Sequence, residues 1–107
     1  MTVPTVNVVD FSQEWQGGDK PFLLDVREPN EYDTAKIEGS VLIPLGQLPG
    51  RLEEVPKDRP VVVHCLAGGR SAKAVEYLLN HGFTDVRNME GGIRAWSLQI
   101  DHNVPQY

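Results

Sequence analysis

An α/β fold with a mainly parallel sheet is what this 107-residue sequence predicts, and three observations predict it. Short apolar runs such as FLLDV (22–26) and VVV (61–63) lack polar alternation, as expected of strands covered on both faces. Segments of helical character lie between them. Gly, Pro and Asp bound each run, so the elements are short and closely connected.

Taken in order, residues 6–9 read as the first strand. Asp10 or Ser12 is then placed to cap a short helix through Trp15, which Gly17 and Gly18 terminate. Residues 22–26 form the second strand. Pro29 suits the first turn of a helix reaching about Ala35. Residues 41–43 are a third strand, and Pro49 breaks whatever helix forms over 45–55. A fourth strand covers 61–63. The spacing of Ala72, Val75, Leu78 and Leu79 predicts a helix over 71–81 that Gly82 ends. Residues 84–87 form a fifth strand, and a last helix starting at Gly91 or Gly92 carries Ile93, Trp96 and Ile100. The tail 101–107 is expected to be irregular and packed on the surface. The whole chain, 1–107, reads as one domain.

Composition narrows the function. A net charge of −5, with cations scattered among acids, disfavours a nucleic-acid binder, which carries a clustered basic face. Apolar residues at 40% and charged residues at 23% are ordinary for a soluble protein, and no run approaches a membrane span. MTVPTVNVVD lacks the basic start and apolar stretch of a signal peptide. One cysteine allows no intrachain disulfide, so a reducing, cytoplasmic location is expected. Three dispersed histidines make no metal-ligand spacing, and no cofactor motif is present. No metal and no cofactor are therefore expected.

Cys65 opens the stretch CLAGGRS, between the 61–63 strand and the following helix. An isolated cysteine is more often packed than reactive. Here, however, Gly68 and Gly69 allow a turn whose amides converge as a nest, with a helix N-terminus behind it. Arg70 is a permanent cation within reach. Such surroundings lower a thiol pKa from about 8.5 into the range of roughly 3.5–7.5. Loops leaving the carboxyl ends of parallel strands are also where α/β proteins place their sites.

HCLAGGRSAKAVEYLLNHGF resembles the active-site segment of single-domain rhodaneses, in which C-x-x-G-x-R-S opens a helix. LLDVREPNEYDTAKIEGSVLIP and GFTDVRNMEGGIRAW resemble the amino- and carboxy-terminal signatures of that family, so the resemblance spans about residues 5–100. It implies a three-layer rhodanese-like domain with a five-stranded, mainly parallel sheet. It also implies a sulfurtransferase in which Cys65 carries a sulfane sulfur as a persulfide, cradled by Leu66, Ala67, Gly68, Gly69, Arg70 and Ser71. The donor would be thiosulfate or a persulfide-bearing protein, and the acceptor cyanide, a thiol or a sulfur-carrier protein. Neither nucleic acid nor membrane is expected as a partner. GGIRAWSLQIDHNVPQY is similar to the ends of rhodanese domains fused to ubiquitin-activating-like adenylyltransferases.

Four residues separate Cys65 from Arg70, where the related cysteine phosphatases have five, and the smaller ring suits a single sulfur better than phosphate. Arsenate reduction would want a second thiol. Arg70 either faces the substrate or braces the loop through a carboxylate. Ser71 caps the helix or donates to the persulfide, capping being the expected role. Asp25, Arg27 and Glu28 are expected to form a buried supporting salt-bridge network. His64, adjacent to Cys65 in a strand, should point to the opposite face and makes a poor general base. Trp96 and Tyr32 are expected to pack. Two positions depart from the family: many members with thiosulfate activity carry a basic residue at position 66 and a serine at position 67. Leu66 and Ala67 therefore predict weak thiosulfate turnover, and they leave a catalytically weak interaction or sulfur-carrier module as the competing reading.

Overall fold

The computed structural model describes residues 2–107. Five strands form one sheet: β1 (Thr5–Val6), β2 (Phe22–Asp25), β3 (Val41–Leu42), β4 (Val61–His64) and β5 (Val86–Met89). Their order is β1-β5-β4-β2-β3, and each pairing is parallel. Four α-helices accompany them: α1 (Val8–Gln16), α2 (Pro29–Thr34), α3 (Gly69–Leu79) and α4 (Gly92–Gln99). A 3₁₀ segment, Leu45–Glu54, contains Pro49 and kinks at Arg51, in keeping with the expected break.

The uninterrupted apolar strands are covered on both faces, giving three layers. Leu24, Val61, Val63 and Val86 pack with Ala74, Val75 and Leu78 of α3 and with Leu48. Leu23, Val62 and Met89 pack on the other face, against Phe11 of α1 and Ile93 and Trp96 of α4. Each fully buried Val, Leu, Ile, Phe or Met side chain among them contributes about 1.5–3 kcal/mol. Among the described residues, no helix is long and apolar enough to cross a membrane.

The bounds of β1, α1, β5 and α3 differ from expectation by two residues or more, each for a local reason. The first strand ends at Val6 because Asn7, rather than Asp10 or Ser12, caps α1: its side chain accepts from the Asp10 N–H at 2.8 Å. Val8, Val9 and Asp10 are therefore helical. The fifth strand covers 86–89 instead of 84–87, since its pairing with β1 reaches Met89. The helix expected over 71–81 begins two residues earlier and ends at Leu79, and Gly82 (φ +90°) lies in the turn beyond it.

Topology positions the site. β2 leads outward to β3 at one edge, whereas β4 leads to β5 on the other side. The connections leaving adjacent β2 and β4 thus diverge, opening a crevice at their carboxyl ends. Residues 26–28 and 65–68 occupy that place.

Candidate active site

Cys65 follows β4 directly and is 2% exposed. Val61, Val63 and Cys65 share the α3 face by the two-residue period of a strand. The turn after it depends on Gly68, whose φ of +121° suits glycine and which is the N-cap of α3. From there the Gly68 N–H donates to Cys65 Sγ at 3.1 Å. Ser71 Oγ lies 3.3 Å from the same sulfur. Burial alone would push the thiol pKa up. The Ser71 hydroxyl and the backbone N–H groups of Ser71, Gly68 and Ala67 outweigh it, so the pKa lies below the ordinary thiol value.

Ser71 is not the helix cap, because Gly68 holds that position without a side chain. One turn inside α3, its hydroxyl instead reaches Asn88 Oδ1 at 2.6 Å, Gly68 O at 3.2 Å and the sulfur. One proton cannot serve three acceptors. Asn88 holds it at rest by the shortest contact, and the sulfur receives it when the hydroxyl rotates towards a thiolate. Asn88 is itself oriented by donating from Nδ2 to Gly68 O at 3.2 Å.

A second helix completes the loop. The Ile93 and Arg94 N–H groups at the start of α4 donate to the carbonyls of Cys65 (3.0 Å) and Leu66 (3.1 Å). This satisfies helix-end donors and fixes the loop from behind. The approach needs Gly92, at φ +60°: a Cβ there would lie 2.5 Å from both carbonyl oxygens. We expect Gly92→Ala to lower stability by about 2 kcal/mol or more. A chemical denaturation midpoint shift of that size, at unchanged slope, checks it.

Arg70 braces the loop. Its guanidinium, 37% exposed in its side chain, pairs with Glu31 of α2 at 2.6 and 2.9 Å in a two-pronged contact. Arg70 holds the Glu31 carboxyl far below the usual carboxylate value of 4.5, at about 2, against the opposing effect of burial and with help from the Glu28 N–H and Tyr107. A depressed folded value means that this pair stabilises the protein fully above about pH 4.5, and that the contribution is lost as pH falls towards 2. Glu31→Gln should therefore flatten the acid limb of a stability-versus-pH curve in that window.

The expected buried network is found in part. Asp25 and Arg27 are both 0% exposed and are joined at 2.6 Å. Glu28 does not belong to it: exposed at the surface, it is the N-cap of α2 and forms a capping box with Glu31. His64 lies on the face away from the thiol and is fully buried. Its Nδ1 is 3.2 Å from Cys65 O and its Nε2 is 3.5 Å from Asp25. Burial pushes its pKa down, which keeps the ring neutral. Trp96 packs in the core as expected, while the Tyr32 hydroxyl also donates to Ser40 O at 3.2 Å. Leu66, Ala67 and Gly69 complete the loop with no polar side chain to offer a ligand.

Three further residues belong to the site without having been singled out from the sequence: Glu31, Asn88 and Tyr107. The N3 position of a capping box marks Glu31 in EPNE. Nothing local marks Asn88. Tyr107 ends the stretch GGIRAWSLQIDHNVPQY, and its hydroxyl lies 2.6 Å from Arg27 Nη1 and 2.9 Å from Glu31 Oε2.

The sequence profile of the rhodanese-like domain matches residues 9–99. A sulfurtransferase of Allochromatium vinosum is 38% identical over 103 residues, which are 94% of each chain. The probable adenylyltransferase/sulfurtransferase MoeZ of Mycobacterium tuberculosis is 37% identical over 98 residues, covering 89% of this chain but 25% of that protein. Among solved structures, a rhodanese-related protein from Thermoplasma volcanium superposes with a TM-score of 0.82 at 32% identity, over 91% of this chain and 93% of the other.

Proposed function

The chain belongs to the rhodanese-like domain family, and from that premise we propose that it is a sulfurtransferase working through a persulfide on Cys65. The observation that carries the reading is geometric: the Gly68 N–H and the Ser71 hydroxyl converge on a buried sulfur at 3.1 and 3.3 Å, donors that favour the thiolate and pull the thiol pKa down against burial. A thiolate is the nucleophile of thiol chemistry. No general base is needed once it is formed.

In the first half-reaction the thiolate's electron pair forms a bond to the outer sulfur of the donor. With thiosulfate, the donor's sulfur–sulfur bond breaks and its electron pair leaves with sulfite. With a persulfide, R–S–S⁻, it leaves as R–S⁻. In both cases the product on the protein is Cys65–S–S⁻, and the total charge is unchanged. Amides that favour a thiolate also favour this anion, and the four-residue spacing leaves room for one added sulfur. In the second half-reaction cyanide or a thiolate, including a cysteine thiolate of a sulfur-carrier protein, attacks the terminal sulfur; the persulfide's sulfur–sulfur bond breaks and its electron pair returns to Cys65 as the thiolate. Two half-reactions sharing one covalent intermediate predict ping-pong kinetics.

Leu66 and Ala67 bring neither a cation nor a hydroxyl to the mouth. Thiosulfate is therefore the poorer donor, and a thiol-borne persulfide the better one. Intact-protein mass spectrometry of the reduced protein tests this reading. A gain of one sulfur atom on incubation with glutathione persulfide, removed by cyanide, supports it. No gain from either donor overturns it in favour of a non-catalytic interaction module.

A further inference from the structure

The tail is anchored more firmly than an irregular segment needs. The Asp101 N–H donates to Trp96 O at 3.0 Å, Asp101 Oδ1 accepts from the Asn103 N–H at 3.0 Å, and Ser97 Oγ donates to Val104 O at 2.6 Å. The Val104 side chain is buried beside α1 and α4. So anchored, Pro105, Gln106 and Tyr107 line a cleft together with Leu66 and Arg94. The phenol of Tyr107 thereby lies between Arg27 and Glu31. Arg27 Nη1 donates to its oxygen at 2.6 Å, and its O–H donates to Glu31 Oε2 at 2.9 Å.

Glu31 thus accepts four hydrogen bonds: two from Arg70, one from the Glu28 N–H and one from Tyr107. A carboxylate held on both oxygens cannot turn away, so the Arg70 cation beside the Cys65 loop stays neutralised. A small dianion depends on net positive charge for capture; Leu66 adds none, and with Arg70 neutralised the exposed Arg94 is the cation left on the cleft wall. A thiol-borne persulfide bears a single negative charge at its reacting end, any other charges lying several bonds away, and joins it to an apolar stem that suits Leu66.

We propose that Tyr107, acting through Glu31, is a donor-selecting residue that keeps Arg70 in a neutral pair and so turns the site away from small dianions towards thiol-borne persulfides. The proposal rests on the sulfurtransferase reading. Its test compares kcat/KM for thiosulfate and for glutathione persulfide in wild type, Tyr107→Phe and Glu31→Gln, at low and high salt.

Releasing the pair should raise thiosulfate kcat/KM relative to persulfide by about threefold in Tyr107→Phe and about tenfold in Glu31→Gln, mostly through KM. The gain should shrink at high salt, where an exposed charge is screened. Tyr107→Phe keeps the ring over Arg27, so it removes the hydroxyl and little else. Equal losses for both donors, or an unchanged donor ratio in both variants, would make Tyr107 a packing residue and overturn the proposal. Wild-type protein that takes sulfur from neither donor overturns the sulfurtransferase reading itself, and this proposal with it.

Discussion

Cys65→Ser is expected to take up no sulfur from either donor and to keep its fold. A serine hydroxyl is un-ionised near neutral pH, and His64, fully buried across the sheet, is not placed to activate it. Turnover should fall by roughly 10³-fold or more, the scale on which loss of a covalent nucleophile registers. Stability should stay within about 1 kcal/mol of wild type, because the new hydroxyl meets the donors that now face the sulfur. The measurement pairs sulfur uptake, read by intact mass, with urea denaturation. A variant that still gained a sulfur atom would show that the sulfur sits elsewhere. A variant that lost uptake only by unfolding would leave the nucleophile unassigned, so Cys65→Ala serves as a second variant. It lacks both thiol and hydroxyl, and must fail in the same way.

What could be read from the sequence about this site is what lies close together along the chain. Cys65, Gly68, Gly69 and Arg70 span six positions, and a strand end, a turn and a helix start leave few alternatives for them. The parallel sheet was legible for a similar reason, since strands buried on both faces need no partner to declare their apolar pattern. The supporting residues are different. Arg70 meets Glu31 across 39 positions, Ser71 meets Asn88 across 17, and Tyr107 meets Glu31 across 76. Those contacts exist only because β2 and β5 flank β4 and because the tail returns to Arg27 and Glu31. Ser71 shows the limit most clearly. A serine near a helix start reads as a cap, yet a φ of +121° at Gly68 starts the helix two residues earlier and turns the hydroxyl inward.

Arg27→Met should produce the largest loss of stability, about 3–5 kcal/mol, a substantial part of the roughly 5–15 kcal/mol that holds a typical domain folded. Each of the five N–H donors of Arg27 has a partner. Nε and one Nη2 proton meet the Asp25 carboxylate at 2.6–3.1 Å, the other Nη2 proton meets Ala35 O at 2.6 Å, and Nη1 serves Glu31 O at 3.3 Å and Tyr107 Oη at 2.6 Å. Burial opposes the charge, but Asp25 and Tyr107 outweigh it and raise the guanidinium pKa. Methionine matches part of the apolar stem and none of this, leaving a carboxylate that is 0% exposed beside a neutral histidine. The cost is thus an unpaired buried charge rather than a lost attraction. That distinction has its own test. If burial of the orphaned Asp25 is the cause, adding Asp25→Asn to Arg27→Met should restore part of the loss, although Asp25→Asn alone destabilises. Additive losses in the double variant would place the cost instead in the severed contacts to Ala35, Glu31 and Tyr107.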